Sequence, residues 1–334
     1  MYDSRRSMVS RLLIIIVLML SSVLMISCSA RDVRIVFVSE RDGSSKVYII
    51  GLDGGKEIRF SGGVGVDSQP IWSPDRNKVA FLSVELGVTK LHIIDKDGKD
   101  IITPNVNGHP VQQYSWSPDS NRIAILSTED GGSDIYMIDK DGANLARVTD
   151  GGDPKNLGTW SPDGEWIVYS VISGEGQGIY IRNPQGVNKI KLSATPAWGL
   201  KWAPKGDEIT FLSETEDGPA AWLIDKEEKS PTVITSNVYA DSAPVWSPDS
   251  KNIAFVSSKD GDLEIFTIRS DGSNQRQLTN NDIPDTDPQW SLNGKKILFV
   301  SKLHGNTEIV TMDQDGTNQS RITNNTYDDL TPHW

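Results

Sequence analysis

The chain has 334 residues, with 33 Lys and Arg against 45 Asp and Glu, a formal net charge of −12 and one cysteine. That acidic balance argues against a nucleic-acid partner and against an anionic membrane held through a basic patch. One cysteine rules out a disulfide framework, so stability must come from packing.

The first element is a targeting segment. Arg5, Arg6 and Arg11 precede an apolar run, Leu12 to Ile26, which has the layout of a secretory signal and is short for a membrane span of about 20 residues. The run ends in Leu24-Met-Ile-Ser-Cys28 and resembles a bacterial lipobox, with Met25 departing from the Leu, Val or Ile usual there. Residues 1–27 are therefore expected to be a lipoprotein-type signal peptide, with Cys28 lipidated and 28–32 a short linker. Without 1–27 the balance is 30 basic to 44 acidic residues, or −14, since three Arg and one Asp leave. The expected location is extracytoplasmic, anchored to a bacterial membrane.

From residue 33 to 334 the chain reads as one repeat domain. Trp72, Trp116, Trp160, Trp202, Trp246, Trp290 and Trp334 are spaced by 44, 44, 42, 44, 44 and 44 residues, a period that belongs to four-stranded propeller blades or to helical pairs. The intervening text decides for strands. WSPDRNKVAFLS from Trp72 and WSPDSKNIAFVS from Trp246 read as strand, Pro-Asp turn, strand. A second hairpin follows, as in residues 128–149, with alternating apolar residues around DG turns. The first copy starts at Arg34–Ser39 without a Trp strand, and the last stops at Trp334. These two deficits are complementary. The prediction is an all-β, seven-bladed β-propeller of four-stranded antiparallel blades, closed by the C-terminal strand (about 329–334) lying beside Arg34–Ser39.

The repeated WSPDG, AFxS and IYxxD text, seen best at Trp160–Gly164, Trp246–Ser257 and Ile265–Thr279, resembles the WD40-like repeat of the TolB family. Trp202-Ala-Pro-Lys and Trp290-Ser-Leu-Asn depart from it. TolB itself has an α/β domain before a six-bladed propeller, so seven copies look like a TolB-like lipoprotein and not TolB. The resemblance implies a platform for protein partners, with cations in the channel.

Candidate sites follow from the register. Asp67, Asp241, Asp285 and Asp329 stand five residues before a Trp, and the other blades have Val111, Lys155 and Ala197 there. In a closed ring the four Asp blades are consecutive. The carboxylates are expected at the channel mouth, beside acidic hairpins containing Glu40, Asp42, Glu216 and Asp217, as ligands for calcium or a basic peptide. Alternatively, each Asp caps its own turn. The Trp series is expected to pack between sheets, while Trp198, Tyr114 and Tyr239 are a candidate aromatic contact surface. The four His have no HExxH spacing and there is no GxSxG elbow. The expected function is a noncatalytic, lipid-anchored scaffold for a protein or peptide partner in the cell envelope. The alternative is a propeller enzyme such as a metal-assisted polysaccharide lyase, with His109 or His333 as base.

Overall fold

A computed structural model describes residues 33–334 apart from 130–131, 237, 240–241, 260 and 303–304. The signal segment, Cys28 and Asp241 lie outside the described residues. The described residues form seven four-stranded antiparallel sheets. The first blade consists of Asp329–His333, Arg34–Ser39, Lys46–Gly51 and Ile58–Arg59, in that spatial order. Its innermost strand thus comes from the far terminus, with Val36 opposite His333, Val38 opposite Leu330 and Ser39 opposite Asp329. The ring closes as the two deficits require.

Each blade uses an inner A strand ending at or beside the repeat Trp, then B and C strands joined by a hairpin, then a short outer D strand. B strands such as Arg34–Ser39 and Lys296–Ser301 are buried along nearly their whole length, because both faces of a sheet meet a neighbouring blade. The apolar clusters accordingly straddle seams. Val36, Val47, Ile49 and Phe60 of blade one pack with Trp72, Val79, Phe81 and Ile94 of blade two.

All seven repeat tryptophans are buried, and most also tie blades through the indole N–H. Trp160 donates to the Ser115 carbonyl at 3.1 Å, Trp290 to Val245 at 3.2 Å and Trp334 to Gln289 at 3.0 Å. Each acceptor lies 45 residues earlier, on the A strand of the preceding blade. Among the described residues, the indole N–H groups of Trp72 and Trp202 have no such partner. Trp202 follows the 42-residue interval and Trp72 follows the closure, the two places where the ruler is interrupted.

The SPD turn locks the same end of the A strand. Ser73 Oγ donates to Asp75 Oδ1 at 2.6 Å and accepts from the Lys78 N–H at 3.0 Å. The next turn adds a link between blades, since the Asp75 N–H donates to Ser120 Oγ at 2.9 Å.

Candidate functional site

The described aspartates five residues before Trp are placed in seams, not at an open mouth. Asp67, Asp285 and Asp329 are 2, 1 and 0% exposed. Each is the cross-strand partner of a serine in the B strand of its own blade, namely Ser83, Ser301 and Ser39. Asp67 accepts from Ser83 Oγ at 2.6 Å and from Ser61 Oγ, two residues past the Ile58–Arg59 strand of the preceding blade. Asn281 Nδ2 donates to Asp285 at 3.0 Å, and Asn325 Nδ2 to Asp329 at 2.7 Å. Arg41 Nη2 also reaches Asp329, at 3.2 Å. Three described carboxylates therefore occupy three separate seams. The expectation of one exposed acidic arc is corrected, because this position faces the hydroxyl and amide groups of the neighbouring blade.

Sequence reasoning missed a second set of charges in the same seams, at the start of the C strand. Lys46, Asp134, Glu264 and Glu308 fall on the same repeat and are all buried. Glu308 accepts from Thr323 Oγ1 at 2.6 Å and from the Asn325 N–H at 2.9 Å. Glu264 accepts from Thr279 Oγ1 and from the Asn281 N–H at 2.6 Å. Those threonines are the terminal Thr of the repeat, and each also accepts from the C strand, Ile265 N to Thr279 and Ile309 N to Thr323, both at 2.9 Å. The fixed 44-residue offset of the acidic positions was the signal that could have found them.

Lys155 explains one of the blades without Asp. It holds the Asp position of its blade, and its Nζ lies 3.2 Å from Asp134 Oδ1 while donating to the Ser133 carbonyl at 2.7 Å. In the seam of Lys46 and Asp67 the acid and base positions are exchanged. Burial pushes Glu264 and Asp285 up from the usual carboxylate range. Burial also raises Asp329, although the Arg41 guanidinium opposes the shift.

A cavity of about 280 Å³ opens among three A strands in the channel, lined by Lys201, Trp202, Ser242, Trp246, Asp287 and Gln289. Burial lowers Lys201 and raises Asp287. His333 sits in the closing A strand, pushed down to about 4 by burial and by the Arg76 guanidinium. His109 lies in the loop before the Val111–Trp116 strand. Among the described residues, no group of three or more His, Cys, Asp or Glu is arranged to hold a metal ion.

The aromatic trio is not brought together. Tyr114 is buried between blades two and three, where its hydroxyl donates to the Ala80 carbonyl at 2.7 Å. Trp198 and Tyr239 pack against two other seam clusters.

A family model described as the TolB beta propeller domain matches residues 27–198 and 185–334. No curated protein matches the sequence. Among solved structures, TolB from Acinetobacter baumannii is similar at 16% identity and a TM-score of 0.57, over 92% of this chain and 67% of that one. An oligogalacturonate lyase in complex with manganese is similar at 15% identity and a TM-score of 0.68, over 84% of this chain and 86% of the lyase. The β-propeller domain of the Trilobed protease from Pyrococcus furiosus gives 13% identity and a TM-score of 0.60, over 84 and 87%. At these identities the likeness shows a shared fold, on which binding proteins and enzymes are both built.

Proposed function

Because the chain belongs to the TolB β-propeller family, we propose that it is a noncatalytic scaffold that holds a protein or peptide partner in a bacterial cell envelope, tethered through a lipidated Cys28. The observation that carries this reading is the use made of the repeated carboxylates. They are buried and bonded to hydroxyls and amides of adjoining blades, so they serve a rigid ring whose hairpin face is left for contact. The first described strand begins on the opposite face, where the Arg76 side chain of an SPD turn donates to the Arg34 carbonyl at 2.5 Å. A tether at Cys28 would therefore leave the B–C hairpins pointing away from the bilayer.

Chemical crosslinking in intact envelopes tests this reading. The anchored chain should yield a defined crosslinked protein, and Cys28→Ser should move the chain to the soluble fraction and lose that product. A chain that is soluble with Cys28 intact and yields no product would sink the proposal.

A second reading, a metal-assisted polysaccharide lyase, is favoured by the fold shared with the manganese-bound lyase. Of the two candidate bases, His333 is pushed down to about 4 by burial, which leaves it a weak base near pH 7, where catalysis favours a pKa close to the operating pH. Turnover of oligogalacturonate in the presence of Mn²⁺, abolished by His333→Ala or His109→Ala, would replace the scaffold reading.

A further inference from the structure

Blade two differs from its neighbours at the tip where its B and C strands, Lys78–Glu85 and Val88–Asp95, meet. The connection is Leu86-Gly87 with φ of 50° and 81°, a two-residue turn with the left-handed conformation for which Asn-Gly or Asp-Gly is the ordinary choice. A leucine there is held in a backbone conformation that its Cβ disfavours. Burial offsets none of that cost, since Leu86 is 103% exposed.

Leu86 is not alone. Val64 is 94% exposed, and Val66, Val84 and Val88 are exposed as well. Val66 stands directly opposite Val84 in the sheet, and Val88 opposite Glu85. The loop carrying Val64 lies over the same strand, because a Cβ on Gly65 would meet Ser83 and Glu85. Side chains alternate across the sheet, so Val66 and Val84 share one face, Val88 lies on the other, and Leu86 stands at the turn between them. Among the described hairpins, those of blades one and five present charge instead, with exposed Glu40 and Asp42 and exposed Glu216 and Asp217. A strained and solvent-facing apolar cluster is destabilising twice over, which is the mark of a contact surface.

We propose that the tip formed by Val64, Val66, Val84, Leu86 and Val88 is where the partner docks, through a short apolar segment flanked by Lys or Arg. This deepens the scaffold reading and rests on it. The apolar segment matches the tip, and the basic flanks match exposed Glu40 and Asp42 on the adjacent blade-one hairpin and the net charge of −12. A second copy of the chain would set acidic hairpins against acidic hairpins. A bilayer is disfavoured because the described chain begins on the opposite face.

Leu86→Asn separates docking from folding. It restores the preferred Asn-Gly turn, so Tm should hold or rise, while the apolar anchor is lost. The full chain is screened against a displayed library of random peptides. Selected peptides should share consecutive apolar residues flanked by Lys or Arg, and should bind Leu86→Asn at least about tenfold more weakly, with Val64→Ser giving a loss in the same direction. Peptides that bind both variants as well as the parent chain would overturn the inference. So would Leu86-dependent flotation with phosphatidylcholine vesicles, or Leu86-dependent dimerisation. If Leu86→Asn keeps the full envelope crosslink, the tip is wrong and the scaffold stands. If the unmodified chain gives no crosslink, the scaffold reading fails first and the inference falls with it.

Discussion

The seams on either side of blade seven are built from the same four residue types, 44 residues apart. One holds Glu264, Thr279, Asn281 and Asp285, and the other Glu308, Thr323, Asn325 and Asp329. They differ in what neutralises the buried pair. At the closing seam Arg41 reaches Asp329 and also pairs with Glu57, and its guanidinium stacks on Tyr48 at 4.4 Å. Among the described residues, no cation pairs with Asp285. The same repeat text therefore yields one compensated seam and one that stores unfavourable charge. A motif sets the register, and its energetics depend on what the neighbouring blade contributes.

The largest effect is expected from removing the last strand, residues 329–334. That opens the ring and exposes the edge of the Arg34–Ser39 strand, and size-exclusion chromatography should show aggregation or an expanded chain. Arg41→Ala comes next, because it strands the buried Asp329 carboxylate, and denaturant unfolding should show a loss of about 3 kcal/mol.

Asp285→Asn should act in the opposite direction, stabilising the protein at neutral pH by about 1 kcal/mol. The sign follows from the raised folded-state pKa. The native state holds the proton more tightly than the unfolded chain, so the unmodified protein is favoured below the ordinary carboxylate range, about pH 4. That advantage is lost as pH rises through the raised value. Unfolding midpoints measured against pH should show this decline in the unmodified chain, and a shallower one in the variant because Glu264 still titrates.

The smallest effect concerns the indoles. Trp290→Phe removes the bond to Val245 that Trp202 does not make, so it should cost about 1 kcal/mol more than Trp202→Phe.

Much of the fold was legible in the sequence. Seven tryptophans at a near-constant interval gave the blade, and the two incomplete ends gave the closure. The register also brought Asp67, Asp285 and Asp329 correctly to the start of the A strands. It did not give their destination, because Ser61, Asn281 and Asn325 belong to the turn of chain leaving the previous blade. Lys155 read as the absence of an aspartate, yet it pairs with the buried Asp134 of the preceding blade. Arg41 lies 288 residues from Asp329 in the chain, and only ring closure brings them together. Leu86 was hidden for another reason: an apolar residue in a hairpin carries no sign of exposure until the backbone is built.

In the proposed scaffold the seam carboxylates hold the ring and leave partner binding to the hairpin face. Asp285→Asn in the anchored chain, crosslinked in intact envelopes with its unfolding midpoint measured in parallel, tests this most directly. The same crosslinked partner is expected at full yield, with a midpoint at neutral pH equal to or above that of the unmodified chain. Loss of the partner from a variant that remains fully folded would contradict it and return the aspartates to a role as ligands.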